Sequence, residues 1–201
     1  MRSAGEPASG ETTRESPPGA TSDAYLRAVT LGERRPHDDT IHLAPYDPQW
    51  PARFEALALR VRTALGSRAL LLEHVGSTAV PGLSAKPVID IVLAVADSAD
   101  EPSYVPALQA QGFVLRIREP GWFEHRLLKA PQFDGNLHVF SAGCEEIRRM
   151  LAFRDRLRAH IEDRVLYERT KRELAARTWR HAQHYADAKS EVVREILARA
   201  D

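Results

Sequence analysis

The residues best suited to chemistry lie in residues 74–91, where small and polar residues separate two apolar runs. Gly76 and Ser77 follow the first run, and Asp90 interrupts the second. A glycine lets the backbone approach a phosphate closely, and neighbouring N–H groups and a serine hydroxyl can donate hydrogen bonds to it. A carboxylate facing the same bend can hold Mg²⁺, which takes one or two protein carboxylates plus substrate phosphates. The segment therefore predicts a site for a phosphorylated ligand.

Two common phosphate-binding patterns do not describe this segment. Gly76 and Gly82 have five residues between them and no Gly-Lys-Ser/Thr follows, so the Walker pattern is not satisfied. The dinucleotide pattern Gly-x-Gly-x-x-Gly is also absent from the sequence. A lone acid such as Asp90 in an apolar strand is costly unless it is paired or metal-bound. We therefore favour a functional role for it over a structural ion pair.

The hydrophobic pattern predicts the elements that position these residues. Phe54, Leu57, Val61 and Leu65 recur at helical spacing, which predicts a helix from about Pro51 until a stop at Gly66. Apolar and β-branched runs predict strands. The predicted strands are 41–43, 70–75, 87–95, 113–117, 124–129 and 136–140. A short helix is predicted over 104–111, and the chain from 145 to 200 is predicted to be helical throughout.

These elements predict a fold of the α/β (α+β) class, a mixed β-sheet flanked by helices with a helical C-terminal third. The first 37 residues are rich in Ser, Thr, Gly, Pro and Glu, which predicts a disordered tail outside any active site, with a transient helix over 25–31. The predicted organisation is a tail over 1–40 and one domain over 41–201, with its sheet core at 41–141 and its helices at 145–200.

Composition limits the function classes. The 28 Lys and Arg residues equal the 28 Asp and Glu residues, which argues against a dedicated nucleic-acid-binding surface but allows a local basic pocket. The single cysteine, Cys144, excludes an intramolecular disulfide. No run approaches the roughly 20 apolar residues of a membrane span, and the N-terminus lacks the apolar centre of a signal peptide. We expect a cytoplasmic protein that does not enter a membrane.

Several separated motifs, taken together, closely resemble the GrpB family. They are the runs 74–78 and 86–91, Tyr46-Asp47-Pro48-x-Trp50, the run 136–139, the runs 153–155 and 171–174, and Tyr185 with Lys189 as a Tyr-x-x-x-Lys. The resemblance covers roughly residues 41–200 and leaves the tail outside it. The family is grouped with the nucleotidyltransferase superfamily, so the resemblance implies a nucleotidyltransferase-like fold.

The superfamily pattern is a Gly-Ser, an Asp-x-Asp pair and a third acid, which bind two metal ions during nucleotidyl transfer. In this sequence Gly76, Ser77 and Asp90 match that pattern. The first acid of the pair falls on Val88, and the third falls in the strand 136–138, which has no carboxylate. The full set of metal-binding acids of the superfamily pattern is therefore missing from this sequence.

The residues and the resemblance together predict a site. The predicted catalytic residues are Asp90, Lys86 and His138, with Asp90 also holding Mg²⁺, and the predicted phosphate-binding residues are His74, Gly76, Ser77, Thr78, Arg126 and Lys171. For two of these residues a structural role stays open as an alternative to a role in the site. Lys86 could be an exposed loop lysine, and His138 could be a core histidine. The charged motifs of the C-terminal helices are typical of solvated faces, although Lys171 could close the pocket.

The leading hypothesis is binding of a nucleotide or another phosphorylated small molecule, with Mg²⁺-dependent nucleotidyl transfer if the protein is an enzyme. One alternative is a non-catalytic binding or regulatory module that has lost its metal-binding acids, for which Val88 is the best support. A second alternative is a small-molecule transferase or ligase of secondary metabolism that uses the same pocket.

Overall fold

A computed structural model describes residues 21–32 and 40–200. Its centre is one mixed sheet of five strands, β1 Leu71–Val75, β2 Ile89–Val95, β3 Val114–Glu119, β4 His125–Lys129 and β5 Gly135–Ser141. The strand order is β1-β2-β5-β4-β3. The central strands β2 and β5 are parallel, and the other neighbouring pairs are antiparallel. The predicted mixed sheet is confirmed.

Helices cover both faces of this sheet. They are α1 Asp23–Val29, α2 Trp50–Leu65, α3 Val105–Ala110, α4 Glu145–Ala159, α5 Ile161–Ala175, α6 Ala182–Ala188 and α7 Ser190–Leu197. The predicted C-terminal helical third is thus four separate helices. None of the helices in residues 21–32 and 40–200 combines the length and the apolar character that a membrane crossing requires.

The first face of the sheet carries the main apolar core. Ile89, Ile91 and Leu93 alternate along β2 and are almost fully buried beneath α2 and α3. Because side chains alternate across a strand, these odd-numbered residues all point to one side. The helix α2 has Pro in its first turn and ends before Gly66, as its sequence predicts.

The second face of the sheet is covered by the C-terminal helices. Val92, Ala94 and Phe140 pack against Ile147 of α4. By the same alternation Asp90 projects from this face of β2. The C-terminal helices are tied together around Asp163, which is fully buried and paired with Arg156 and Arg199. The second face therefore places a helical layer opposite Asp90.

Two expectations for the early part of the chain were wrong. Residues 41–43 form no strand, because only Ala44 pairs with the sheet-side segment, through one bridge to Ala85. Ile41 is instead buried against Leu174 and Tyr185. The Ile41 N–H also donates to the Ala175 carbonyl at 3.2 Å, so this short apolar run is attached to the end of α5 and does not pair with a strand.

The segment 21–32 is also ordered, although it lies within the predicted tail. Its helix α1 buries Val29, and the following Thr30 forms a bridge with Ile117 of β3. The Tyr25 hydroxyl donates a hydrogen bond to Glu119 at 2.8 Å. The remaining tail, residues 1–20 and 33–39, lies outside the described residues.

Candidate functional site

A tight bend follows β1 and forms the floor of the candidate site. Gly76 has φ +69° and precedes the short 3-10 turn Ser77–Ala79. A Cβ atom at Gly76 would lie only 2.6 Å from the Asp90 Oδ2 atom. Only glycine fits, because the backbone conformation and the close carboxylate both exclude a larger side chain. The predicted approach of the bend to Asp90 is therefore present in the structure.

Asp90 is held by neighbours on β5 while staying partly open to solvent. Asn136 Nδ2 donates to Asp90 Oδ1 at 2.7 Å, and His138 Nε2 lies 3.7 Å from the same oxygen. About 30% of the Asp90 side chain is exposed. Burial acts to raise the pKa of Asp90, but His138, Asn136 and the charge of Lys189 together hold it below its ordinary value. The site therefore presents an ionised carboxylate.

Strand β4 adds two further groups to this face. Lys129 pairs with Asn136 across β4 and β5, and its ammonium group donates to the Asn136 Oδ1 atom. Burial lowers the pKa of Lys129, and the charge of Asp90 opposes that shift. His125 stacks on the ring of His138 with 5.3 Å between ring centres. Both residues reach the site because the register of β4 points them to the Asp90 face.

The helical layer closes the site from the other side. The Tyr167 side chain of α5 interacts with the Ser77 hydroxyl, and burial raises its pKa to about 12. Lys189 lies 4.5 Å from the centre of the Tyr185 ring, and burial lowers its pKa although Tyr185 and Asp90 oppose the shift. The Tyr185 hydroxyl is buried without a hydrogen-bond partner among the described residues. These side chains come from residues far from the bend in sequence.

Lys171, a predicted phosphate-binding residue, lies next to Tyr167 in the helical layer and is only 1% exposed. Its ammonium group donates to the carbonyl of Ser84 and lies 4.9 Å from the centre of the Tyr167 ring. Burial, and secondarily the charge of Lys189, lowers its pKa to about 7. Lys171 therefore supports the loop and the tyrosine, and contacts neither Asp90 nor the bend directly.

Other predicted site residues are not brought to Asp90. Arg126 pairs with Val139 across the sheet, which places it on the first face, where it forms an ion pair with Glu101 at 2.6 Å. Lys86 is exposed on the loop before β2. The alternative of an exposed loop lysine therefore describes Lys86, and the alternation of β4 explains why Arg126 points away.

His74 and Thr78 support the bend from below. His74 projects to the first face, stacks on Phe54 at 4.8 Å and contacts the Thr78 hydroxyl at 3.0 Å. The same hydroxyl donates to the Val88 carbonyl at 3.3 Å. Burial lowers the pKa of His74 to about 4, so this histidine is neutral at physiological pH. The pair joins both ends of the loop, and the charge of Asp90 opposes the lowering of the His74 pKa.

A separate cavity of about 420 Å³ lies beside the edge strand β1. Its lining includes Tyr46, Phe54, Glu73, His74, Arg154 and Arg158. The polar groups here are largely engaged, since Arg154 donates to Glu73, to Asp155 and to the His74 carbonyl. Because Glu73 and His74 point to opposite faces of β1, the cavity wraps around the sheet edge, and Asp90 is not part of its lining.

The donor set around Asp90 does not fit a resident Mg²⁺ ion. Among residues 21–32 and 40–200, no group of three or more His, Cys, Asp or Glu is placed to hold a metal ion. Asp90 supplies one carboxylate, and its Oδ1 atom already faces the Asn136 amide and His138. Val88, at the position of the missing acid, has no metal-binding atom in its side chain. A metal held by the protein alone would need more oxygen ligands.

Comparison with known proteins places the chain among its relatives. The model of the GrpB protein family matches residues 40–199. The chain belongs to the GrpB family. It is 59% identical over 180 residues to a UPF0157 protein of Halalkalibacterium halodurans, covering 90% of this chain and 92% of that one.

A solved structure agrees with this family membership. The crystal structure of GrpB from Enterococcus faecalis has a TM-score of 0.70 and 28% identity to this chain, covering 79% of it and 96% of the E. faecalis chain. A partial match of 42% identity over 89 residues links 43% of this chain to 22% of the dephospho-CoA kinase of Mycolicibacterium paratuberculosis. The resemblance stated from the sequence is confirmed.

Proposed function

We propose that this GrpB-family protein binds a nucleotide or another phosphorylated small molecule over Asp90, with a phosphate lying against the bend at Gly76 and Ser77. The observation that carries this proposal is the contact between a side-chain-free Gly76 and a partly exposed carboxylate. Because Gly76 has no side chain, the backbone N–H groups of the bend are not covered by one and could donate to phosphate oxygens.

The electrostatics of the site support an anionic ligand. The charge of Asp90 interacts with the charges of both Lys129 and Lys189, and His138 lies 3.7 Å from its carboxylate. Lys189 forms no ion pair within the described residues, and the neighbouring Tyr185 hydroxyl lacks a partner there. An arriving phosphate would supply the acceptor atoms that these donors lack.

The partial resemblance to a dephospho-CoA kinase favours a ligand that contains a nucleotide. We therefore propose isothermal titration calorimetry with ATP, ADP and coenzyme A, each with and without Mg²⁺. Lys189→Met is expected to weaken binding at least tenfold, which corresponds to about 1.4 kcal/mol. Arg169→Met is the control, because Arg169 is an exposed cation on α5 that is paired with Glu173 at 4.0 Å. The ligand affinity of this variant should equal that of the unmodified chain.

Mg²⁺-dependent nucleotidyl transfer is the catalytic form of this proposal, in which the ion arrives with the nucleotide. In that case binding is stronger with Mg²⁺, and Asp90→Asn removes this gain while the exposed control Asp100→Asn keeps it. Equal binding with and without Mg²⁺ supports the non-catalytic module, which the valine at position 88 also favours. Absence of binding to any phosphate compound contradicts both forms.

Two narrower expectations from the sequence remain predictions. The cytoplasmic location is one, and a transferase or ligase role in secondary metabolism is the other. The described residues favour neither, and the calorimetric panel addresses only the ligand class.

A further inference from the structure

A continuous series of polar contacts runs from strand to strand along the second face of the sheet and ends at the candidate site. Glu119 Oε2 lies 2.7 Å from His125 Nδ1, and His125 Nε2 lies 3.2 Å from His138 Nδ1. The other imidazole nitrogen of His138, Nε2, lies 3.7 Å from Asp90 Oδ1. At the end of this series away from Asp90, the Tyr25 hydroxyl donates to the second oxygen of Glu119. The series of contacts thus joins β3, β4, β5 and β2 in spatial order.

The direction of each hydrogen bond follows from counting protons. The His125 side chain is 4% exposed, and burial lowers its pKa to about 4 although Glu119 opposes the shift, so the ring is neutral. A neutral imidazole has one N–H, and the carboxylate of Glu119 accepts it from Nδ1. The Nε2 atom of His125 must then accept a proton, and the facing atom that can donate one is His138 Nδ1.

The effect of His138 on Asp90 belongs to the protonated imidazole, whose Nε2 proton faces the carboxylate. In the neutral form, this arrangement leaves the second nitrogen of His138 without a proton. That nitrogen, Nε2, faces Asp90, and about 20% of the His138 side chain is exposed. The ring is held in place by stacking on His125, which itself stacks on Phe140 with 4.7 Å between centres. A lone pair in a fixed direction beside a carboxylate is suited to taking a proton from a ligand hydroxyl or amine.

We propose that Glu119 and His125 are positioning residues, which hold His138 as the Nδ1–H tautomer so that its Nε2 atom is the proton acceptor of the site. We therefore expect one ligand of the site to be an acceptor molecule with a hydroxyl or amine group. This expectation about the acceptor rests on the proposed function. In transfer from a nucleoside triphosphate, the acceptor oxygen would form a bond to the α-phosphorus as the bond to pyrophosphate breaks. The acceptor proton would move to His138 Nε2, and the pyrophosphate would leave with the bonding electron pair.

The tautomer can be measured on the free protein by long-range ¹H–¹⁵N correlation NMR of histidine-labelled full-length chain. The expected result is a proton on Nδ1 and none on Nε2 for both His125 and His138. Exposed His42 provides a solvent-like reference in the same spectrum. A proton on Nε2 of neutral His138 would overturn the proposal, whether or not the protein binds nucleotides, so this result is independent of the calorimetry.

Two variants separate positioning from general packing. His125→Phe keeps an aromatic ring against Phe140 and His138 but removes both hydrogen bonds, so His138 should lose its fixed tautomer. Tyr25→Phe removes only the hydrogen bond to the other oxygen of Glu119 and should leave His138 unchanged. An unchanged His138 in the first variant, or an equal change in both, would contradict the proposed roles.

Discussion

The two faces of the sheet are built from the same strands but from different kinds of side chain. On the first face Ile91, Leu93 and Leu137 are fully buried beneath α2 and α3. On the second face, at the same level of the sheet, Asp90 and Asn136 are hydrogen-bonded to each other and are only partly buried. Burial of apolar surface stabilises a fold, whereas polar groups contribute less and need hydrogen-bond partners wherever water is excluded. The first face therefore carries the main apolar core, and the second carries the polar groups of the candidate site.

The largest expected effect on stability comes from the first face. Leu93→Ala should lower the free energy of unfolding by roughly 2–5 kcal/mol, because it opens a cavity in a closely packed core. Its ligand affinity, measured at a temperature where the variant is folded, should stay unchanged. Urea unfolding measures the change, with Leu59→Ala as the control, since Leu59 is 64% exposed and should change stability by less than about 0.5 kcal/mol. A comparable loss of unfolding free energy in Leu93→Ala and Leu59→Ala would contradict the predicted difference between the buried and the exposed leucine.

Gly76→Ala should have the next largest effect, and it should affect both stability and binding. The residue has φ +69° and ψ −170°, a conformation that costs a non-glycine residue about 1–3 kcal/mol, and the new Cβ would meet Asp90. Gly82→Ala is the matched control, because Gly82 has φ +78° but a Cβ atom there would have no neighbouring atom within 4 Å. Thermal unfolding and calorimetry of the two variants measure the difference.

The contact itself can be tested by a second substitution. If the collision with the carboxylate adds to the backbone strain, Asp90→Ala should restore part of the stability lost in Gly76→Ala. Strictly additive effects of the two substitutions would show that the bend and the acid are energetically independent.

A smaller, pH-dependent effect is expected at Lys171 in the helical layer. Its pKa is about 7 when folded and about 10.5 when unfolded, so the unfolded chain binds more protons between these values and stability rises with pH there. The cost of burying the charged amine is fully present below pH 7 and is relieved by at most about 1.4 kcal/mol per pH unit above it. Lys171→Met removes this dependence.

Urea unfolding at pH 6 and pH 9 measures that prediction. Relative to the unmodified chain, Lys171→Met should raise the free energy of unfolding more at pH 6 than at pH 9. Lys86 is exposed, and Lys86→Met serves as the control that should show no such difference. Parallel pH profiles for Lys171→Met and the unmodified chain would show that the Lys171 amine is charged and well solvated in the folded protein.

The sequence predicted the bend, the acid and most elements because each has a local signal. Gly76, Ser77 and Asp90 belong to one short segment, and β2 is recognisable from its β-branched residues. The direction of residues on β4 depends on its register with β5, which one sequence does not specify, and a slip of one residue exchanges the faces. This is why His125 and not Arg126 reaches His138.

Residues of the helical layer were harder to assign for another reason. Tyr167 and Lys189 are brought to Ser77 and Asp90 by the packing of α5, α6 and α7, and no local pattern encodes those crossings. The family motif Tyr-x-x-x-Lys was the available signal for Tyr185 and Lys189. The order of residues 21–32 was missed because α1 is stabilised by contacts with β3, such as that of Tyr25 with Glu119.

Binding of a ligand over Asp90, on the second face of the sheet, can be mapped by titrating ¹⁵N-labelled protein with ATP and following the backbone amides by NMR. We expect the largest shift changes at Gly76, Ser77 and Asn136, with little change at Leu93 and Leu108 on the first face. Changes centred instead on Tyr46 and Phe54, at the cavity beside β1, would contradict it.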